Sequence, residues 1–334
     1  MTSVNLKTII VGCGNIAGGF DVNQNGLPVT HVGAYEHHGK FDIIACVDPN
    51  RSRLQKFAKR WKIKNKFLNI KEVITSKLDF DVVSICTPVS SHHKDVFEAL
   101  KLKPKLIFCE KPLANKYNDA VDIKNMCNKA GVLLAVNYSR RWDPKVVELK
   151  NDISSKKFGE VRSVIGYYNK GILNNGSHMI DLLTYLFGSL KIEKANSAVN
   201  DYFDDDPSIT ALLNTNSGVP IHLVTAHALD YSLFELEIIG SKRTKTMRDG
   251  GLSWSSRSIV KNLRFEGHKK LEKDQYFKGE YLKSMSFAVK NIYNAITKGD
   301  QLLCTGEEAC KAHKICFDLF KTTLFNNRNK YKVR

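Results

Sequence analysis

The chain predicts an α/β protein of two domains: a doubly wound parallel sheet, followed by an α+β domain built on a large, mainly antiparallel open sheet. Three observations carry this expectation. Up to about residue 136, short unbroken apolar runs alternate with amphipathic helical segments. Beyond that point strand-like runs follow one another without helices between them. Two helical segments, roughly 279–298 and 306–325, then close the chain. The expected domains are residues 1–136 and 137–334, and 334 residues with 43% apolar content suffice for two cores.

In the first domain KTIIVG, FDIIACVD, DVVSICTP, KLIFCEKP and VLLAVN are mostly unbroken apolar runs, as expected of parallel strands buried on both faces. RSRLQKFAKRW, HHKDVFEALK and NDAVDIKNMCNKAG supply the helices between strands, with right-handed crossovers. In the second domain the strands are VRSVIGYYN, KIEKANSAV, SITALLNT, VPIHLVTAHA, FELEIIGS, KRTKTMRD and SIVKNLRF. Asn216-Ser217-Gly218 and Asp249-Gly250-Gly251 mark turns between them. The acidic cluster Asp204-Asp205-Asp206-Pro207 reads as a solvated turn.

Lysine and arginine number 51 against 34 acidic residues, a formal charge of +17. The basic residues are spread along the chain without an aromatic-interleaved motif, so no nucleic-acid partner is expected; the surplus favours anionic substrates and cofactors by steering. No window approaches the roughly 18 consecutive apolar residues of a membrane span, and the N-terminus runs directly into a strand. A cytoplasmic protein without a membrane partner is expected. The eight cysteines are scattered, several inside apolar strands, and are expected to be reduced small hydrophobes. Cys310-x-x-His313-x-x-Cys316 lacks a visible fourth ligand, so no metal is expected.

In TIIVGCGNIAGGFD the pattern Gly12-x-Gly14-x-x-Ala17 follows a strand, the context of a dinucleotide-binding fingerprint. Gly12 allows the tight turn, Gly14 lets backbone amides approach a pyrophosphate, and Asn15 and Ile16 continue the same loop. Asp48 ends the second strand, where a carboxylate would hold the adenosine ribose. It lies 36 positions beyond Gly12, longer than the usual spacing of about 20. The surplus is the polar loop Asp21–Pro28, so the helix THVGAYEHH is expected to start late. A free carboxylate at 48 repels a 2′-phosphate, which predicts NAD(H) over NADP(H), with Arg51 and Arg53 near enough to soften the repulsion.

In GILNNGSHMIDLL, His178 taken alone fits either a buried structural imidazole or a proton-transfer group. Three signatures follow the glycine turn in order: Thr87-Pro88 with His92 four residues on, Glu110-Lys111-Pro112, and His178 with Asp181. Together they resemble the glucose-fructose oxidoreductase and inositol dehydrogenase family, Gfo/Idh/MocA, over essentially the whole chain. The resemblance implies a Rossmann domain followed by an α/β domain whose open sheet mediates assembly, as a homodimer or homotetramer. It implies that Lys111 lies near the nicotinamide ribose and the reacting carbon, and that His178 exchanges the proton. Thr87, Pro88, His92 and Glu110 would flank the cofactor, and Asn137 and the Arg140-Arg141 pair would face the cleft. Substrate contacts are then expected from Asn137, Arg141, Asn174 and Asp181. Many polyol dehydrogenases of the family carry aspartate where this chain has Asn174, and the Asn-x-Gly-x-His variant is more similar to the branch acting on nucleotide-linked sugars.

Oxidising a secondary alcohol requires hydride transfer together with removal of the hydroxyl proton. Histidine suits the second task, and an ammonium stabilises developing alkoxide charge, which is the expectation for Lys111. Asn174 can orient a hydroxyl or imidazole but cannot accept a proton. Lys111 also fits a strand-end lysine reaching solvent, and Asp181 fits a helix-start carboxylate. His31, His37 and His38 are assigned to the surface or the first helix. The leading expectation is an NAD-dependent sugar dehydrogenase; a polyol dehydrogenase, an NAD-dependent glycosidase with transient oxidation, and a non-catalytic dinucleotide-binding regulator are the alternatives.

Overall fold

The structure, a computed structural model, describes residues 4–23 and 26–330. It forms two compact units: residues 1–143 with 282–310, and residues 144–281 with 311–334. The sequence reading cuts the chain once, at 136; in the fold the chain leaves the first unit at 143 and comes back to it for residues 282–310.

The first unit holds six parallel strands: β1 Leu6–Val11, β2 Phe41–Val47, β3 Asn65–Phe67, β4 Val82–Ile85, β5 Leu106–Cys109 and β6 Leu133–Val136, in the order β3-β2-β1-β4-β5-β6. Every residue of β4 and β5 is buried, which is why those strands read as unbroken apolar runs. The order reverses beside β1, and the crevice at the carboxyl ends of the strands there is where such sheets bind ligands. The sequence reading missed β3, because Asn-Lys-Phe at a sheet edge carries no apolar pattern.

Helices α1 His31–His38, α2 Arg51–Arg60, α3 Ile70–Thr75, α4 His92–Leu100 and α5 Tyr117–Ala130 connect these strands. Thr30, Asn50 and Asn69 cap the first three of them through side-chain oxygens. Helix α1, after the glycine turn, does start late. A single π-helical turn, Asn15–Gly19, and a 3-10 turn precede α1. Asp21 accepts the N–H groups of Val29 and Thr30 and so closes the loop ahead of it. Residues 24 and 25 of that loop lie outside the described residues.

The second unit comprises α6 Pro144–Ser154, β7 Val161–Tyr168, α7 Gly176–Phe187, β8 Leu190–Phe203, β9 Asp206–Thr215, β10 Pro220–Thr225, β11 Phe234–Gly240, β12 Arg243–Arg248, β13 Ser253–Lys261, β14 Lys269–Leu271 and β15 Gln275–Lys278. The sheet runs β14-β13-β12-β11-β7-β10-β9-β8, with β15 also on β13. Only β7 and β10 pair in parallel, so the mainly antiparallel expectation holds. SIVKNLRF is not one strand: β13 starts earlier and stops before Asn262, whose side chain accepts from Arg264 and Phe265 N–H and turns the chain.

Helix α8, Ser284–Lys298, belongs to the first unit, where Met285, Ala288, Val289 and Ile292 enter its core at helical spacing. Trp142 Nε1 donates to Asn291 Oδ1 of α8 at 3.0 Å. Helix α9, Gly306–Lys330, begins in that unit, and its Ile315 and Leu319 lie in the core of the second.

Candidate active site

A cleft of about 1000 Å³ opens at the carboxyl ends of β1, β2 and β4. Gly12, Gly14, Asn15, Ile16, Asp48, Thr87 and Pro88 line it, seven of the residues singled out in the sequence. Gly12 has φ +91°, and a Cβ there would stand 2.7 Å from the carbonyl carbon of Cys86, so only glycine fits. A Cβ at Gly14 would meet nothing within 4 Å, leaving its backbone bare to the cleft. Leu68, Asn69, Ile70 and Lys71 also line the cleft. They follow β3, and with no apolar run to mark that strand, no local pattern singles them out.

The Asp48 carboxylate is buried and multiply held. It accepts from Cys13 N at 3.0 Å, Asn50 N at 2.8 Å and Arg53 Nε at 2.9 Å. Arg53 also lines a second recess of about 600 Å³ with Gly14, Asn15, Lys56, Arg60 and Trp61. Arg53, Lys56 and Arg60 border that recess without a carboxylate, and Arg53 links it to Asp48.

Glu110, Lys111 and Pro112 form a turn after β5. Glu110 Oε1 takes both His31 Nε2, at 2.8 Å, and Asn137 Nδ2, at 2.6 Å. Burial acts to raise the Glu110 carboxyl, but the His31 contact, the Asn137 amide and the nearby Lys111 ammonium outweigh it and hold it below the usual carboxylate range. His92 is buried rather than lining the cleft: Nε2 lies 2.9 Å from Thr87 O and Nδ1 lies 3.1 Å from Pro112 O. Its ring ties the cleft floor to the far side of the Lys111 turn. Lys111 itself is half-buried.

Arg141, expected to face the cleft, is buried and donates to Leu303 O at 3.2 Å and Glu308 Oε2 at 3.4 Å. Asn137 is likewise buried, against Glu110. His31 belongs to the first helix, as one of its two expected placements had it, and is wholly buried there. Its partner lies 79 residues away in the chain, a separation no local pattern reveals.

In the second unit His178 sits half-buried in the first turn of α7, its ring edge-on to Phe234 at 6.5 Å. Asp181, one turn on, is wholly buried. The preceding segment is pinned by three side chains from β8 and β9. Asp201 accepts Lys170 N at 2.9 Å, Ser208 Oγ accepts Gly171 N at 2.9 Å, and Asp206 accepts Leu173 N at 2.8 Å and Asn174 N at 2.9 Å. The acidic cluster is therefore not a wholly solvated turn. Asp204 and Asp205 are exposed, while Asp206 turns inward to satisfy two backbone donors.

All eight cysteines are buried and unbridged, and burial raises the thiols of Cys86, Cys109 and Cys316, which keeps them protonated. Burial pushes His313 down to about 4. Among the described residues no group of three His, Cys, Asp or Glu is poised to hold a metal, and no helix is long and apolar enough to cross a membrane.

A parallel sheet with a glycine turn and a strand-end carboxylate at its reversal point defines a dinucleotide-binding protein of the Rossmann type. The profile of the oxidoreductase family with an NAD-binding Rossmann fold matches residues 6–138, and that of the same family's C-terminal α/β domain matches residues 170–320. The chain belongs to the Gfo/Idh/MocA oxidoreductases. An inositol 2-dehydrogenase of Rhizobium meliloti is 23% identical over 267 residues, covering 72% of this chain and 78% of that protein. An oxidoreductase of Desulfitobacterium hafniense superposes with TM-score 0.82 at 17% identity over 96% of both chains. The WlbA dehydrogenase of Bordetella pertussis, solved with NADH and UDP-GlcNAcA, superposes with TM-score 0.75 at 18% identity, also over 96% of each.

Proposed function

We propose that the protein is an NAD(H)-dependent dehydrogenase acting on a secondary alcohol or ketone of a sugar, with Lys111 and His178 at the reacting centre and a nucleotide-linked or otherwise anionic sugar as substrate. The observation that carries the reading is the cleft, where the bare backbone of Gly14, the Asp48 carboxylate and the Thr87-Pro88 rim face one space. Gly12, Gly14 and Asn15 would hold the pyrophosphate, and Asp48 the adenosine ribose. The bound nicotinamide supplies the hydride acceptor or donor.

This chain's residues do the rest. The Lys111 ammonium stabilises negative charge on the substrate oxygen, and His178 accepts the hydroxyl proton. Asn174 orients a hydroxyl by hydrogen bonding without taking a proton. The charge of +17 supports an anionic substrate by steering, and the UDP-GlcNAcA complex of the WlbA dehydrogenase supports a nucleotide-linked one. The inositol 2-dehydrogenase relative keeps polyol oxidation as the second reading. The eight unbridged cysteines suit a cytoplasmic setting, and the long sheet of the second unit suits a homodimer or homotetramer.

The test is incubation with NAD+ and either myo-inositol or UDP-GlcNAcA while NADH is followed. Accumulating NADH with the nucleotide sugar supports the leading reading, and with myo-inositol alone the second. Product release without accumulated NADH identifies a glycosidase that recycles its cofactor. Lys111→Ala and His178→Ala are each expected to lower turnover about 10²- to 10⁴-fold in folded protein. Near-normal turnover in either variant removes that residue from the mechanism.

A further inference from the structure

Behind the Lys111 turn lies a buried polar group that the proposed chemistry does not use. His31 is wholly buried at the first position of α1, which Thr30 caps. Its ring lies 4.4 Å from that of Phe108 and edge-on to Tyr35. Nδ1 has no hydrogen-bond partner among the described residues, so its one polar contact is Nε2 to Glu110 Oε1. Asn137 donates to the same oxygen, and the other oxygen, Oε2, lies 3.4 Å from Lys111 N.

Three elements far apart in sequence, α1, the end of β5 and the residue after β6, thus converge on one carboxylate adjoining Lys111. A buried carboxylate persists as an anion only where donors replace its water. With Oε1 fixed by two donors, the carboxylate cannot rotate, and its charge is held in one place beside the lysine. On the other side of the turn His92 lies against Pro112 O, so the backbone carrying Lys111 is fixed at both ends.

Resting on the reading of Lys111 as the reacting-centre ammonium, we propose that His31 is a positioning residue for it, acting through Glu110. The imidazole does not touch substrate or cofactor; it fixes the orientation of the carboxylate that sets the environment of the Lys111 amine.

The test requires no substrate. Lysines are labelled by reductive 13C-methylation, the Lys111 signal is assigned by its loss in Lys111→Arg, and its chemical shift is followed against pH by NMR. Glu110→Gln is expected to lower the Lys111 titration midpoint by about one pH unit, since it deletes the adjacent anion. His31→Phe keeps the packing on Phe108 but removes the donor, and is expected to move the Lys111 signal and its midpoint away from the native values. His31→Gln, which keeps an N–H donor, is expected to return both toward native. A merely structural histidine would leave the Lys111 signal untouched wherever the variant folds. If His31→Phe does not fold, Asn137→Ala removes the second donor to the same oxygen and carries the test. An unchanged Lys111 signal in these variants, with or without a response to Glu110→Gln, overturns the proposal. Turnover of Lys111→Ala tests the underlying reading separately, so the two can fail independently.

Discussion

Gly171 and Asp206 approach so closely that a Cβ on Gly171 would run into the Asp206 carboxylate and stand 2.6 Å from its backbone oxygen. Gly171 also has φ +83°, a region that side-chain-bearing residues enter at a cost of about 1–3 kcal/mol. The two restraints act on the segment that delivers His178 to α7. Gly171→Ala is expected to destabilise the protein by at least about 2 kcal/mol in urea unfolding and to lower turnover with it. A loss below about 0.5 kcal/mol would contradict this account of the turn.

Asp206 gives that segment a pH dependence. Burial, only partly offset by the Leu173 and Asn174 N–H groups, pushes its carboxyl up to about 6 from an ordinary 3.8. A carboxyl whose folded pKa lies above its unfolded one contributes stability that is full below about pH 4 and lost as pH rises through about 6. The unfolding free energy of the native protein relative to Asp206→Asn is therefore expected to fall by up to about 3 kcal/mol between those limits. Urea titrations of both proteins across the range measure it, and a constant difference would contradict it.

At the cofactor end, the Asp48 carboxylate opposes a 2′-phosphate while Arg53, Lys56 and Arg60 attract one. On the proposal that Asp48 holds the adenosine ribose, NADH is expected to bind more tightly than NADPH in fluorescence titrations. Asp48→Ser is expected to narrow or reverse the difference by removing the anion and releasing Arg53. A native preference for NADPH would refute the NAD(H) assignment.

Gly12→Ala is expected to abolish NADH binding or to unfold the first unit, because the new methyl meets the main chain of Cys86 and Thr87, which cannot move aside as a side chain can. A native-like melting temperature with unchanged NADH affinity would contradict this reading of the turn.

What could be read from the sequence follows from physical range. Strands β1, β2, β4, β5 and β6 declare themselves because burial on both faces demands unbroken apolar runs. The glycine turn is equally legible, since Gly12 answers a local backbone requirement. His31 is not, because what defines it is a partner 79 residues away. Asp206 was hidden among two solvated neighbours of the same type, and only the fold decides which of the three turns inward. The amphipathic pattern of α8 predicts a helix without saying which core receives it, so a single division at 136 could not anticipate its placement.

That placement bears on how the protein is born. Tyr293 of α8 sets its ring at a tilt 4.9 Å from that of His38 and donates its hydroxyl to Val4 O, so strand β1's approach is held by a helix made almost 290 residues later. The nucleotide-binding half cannot complete its core until synthesis has passed residue 298, after the whole sheet of the second unit has been made. A nascent chain stalled earlier would expose the apolar surface that α8 covers, making this stretch of synthesis the interval in which chaperones have most to guard.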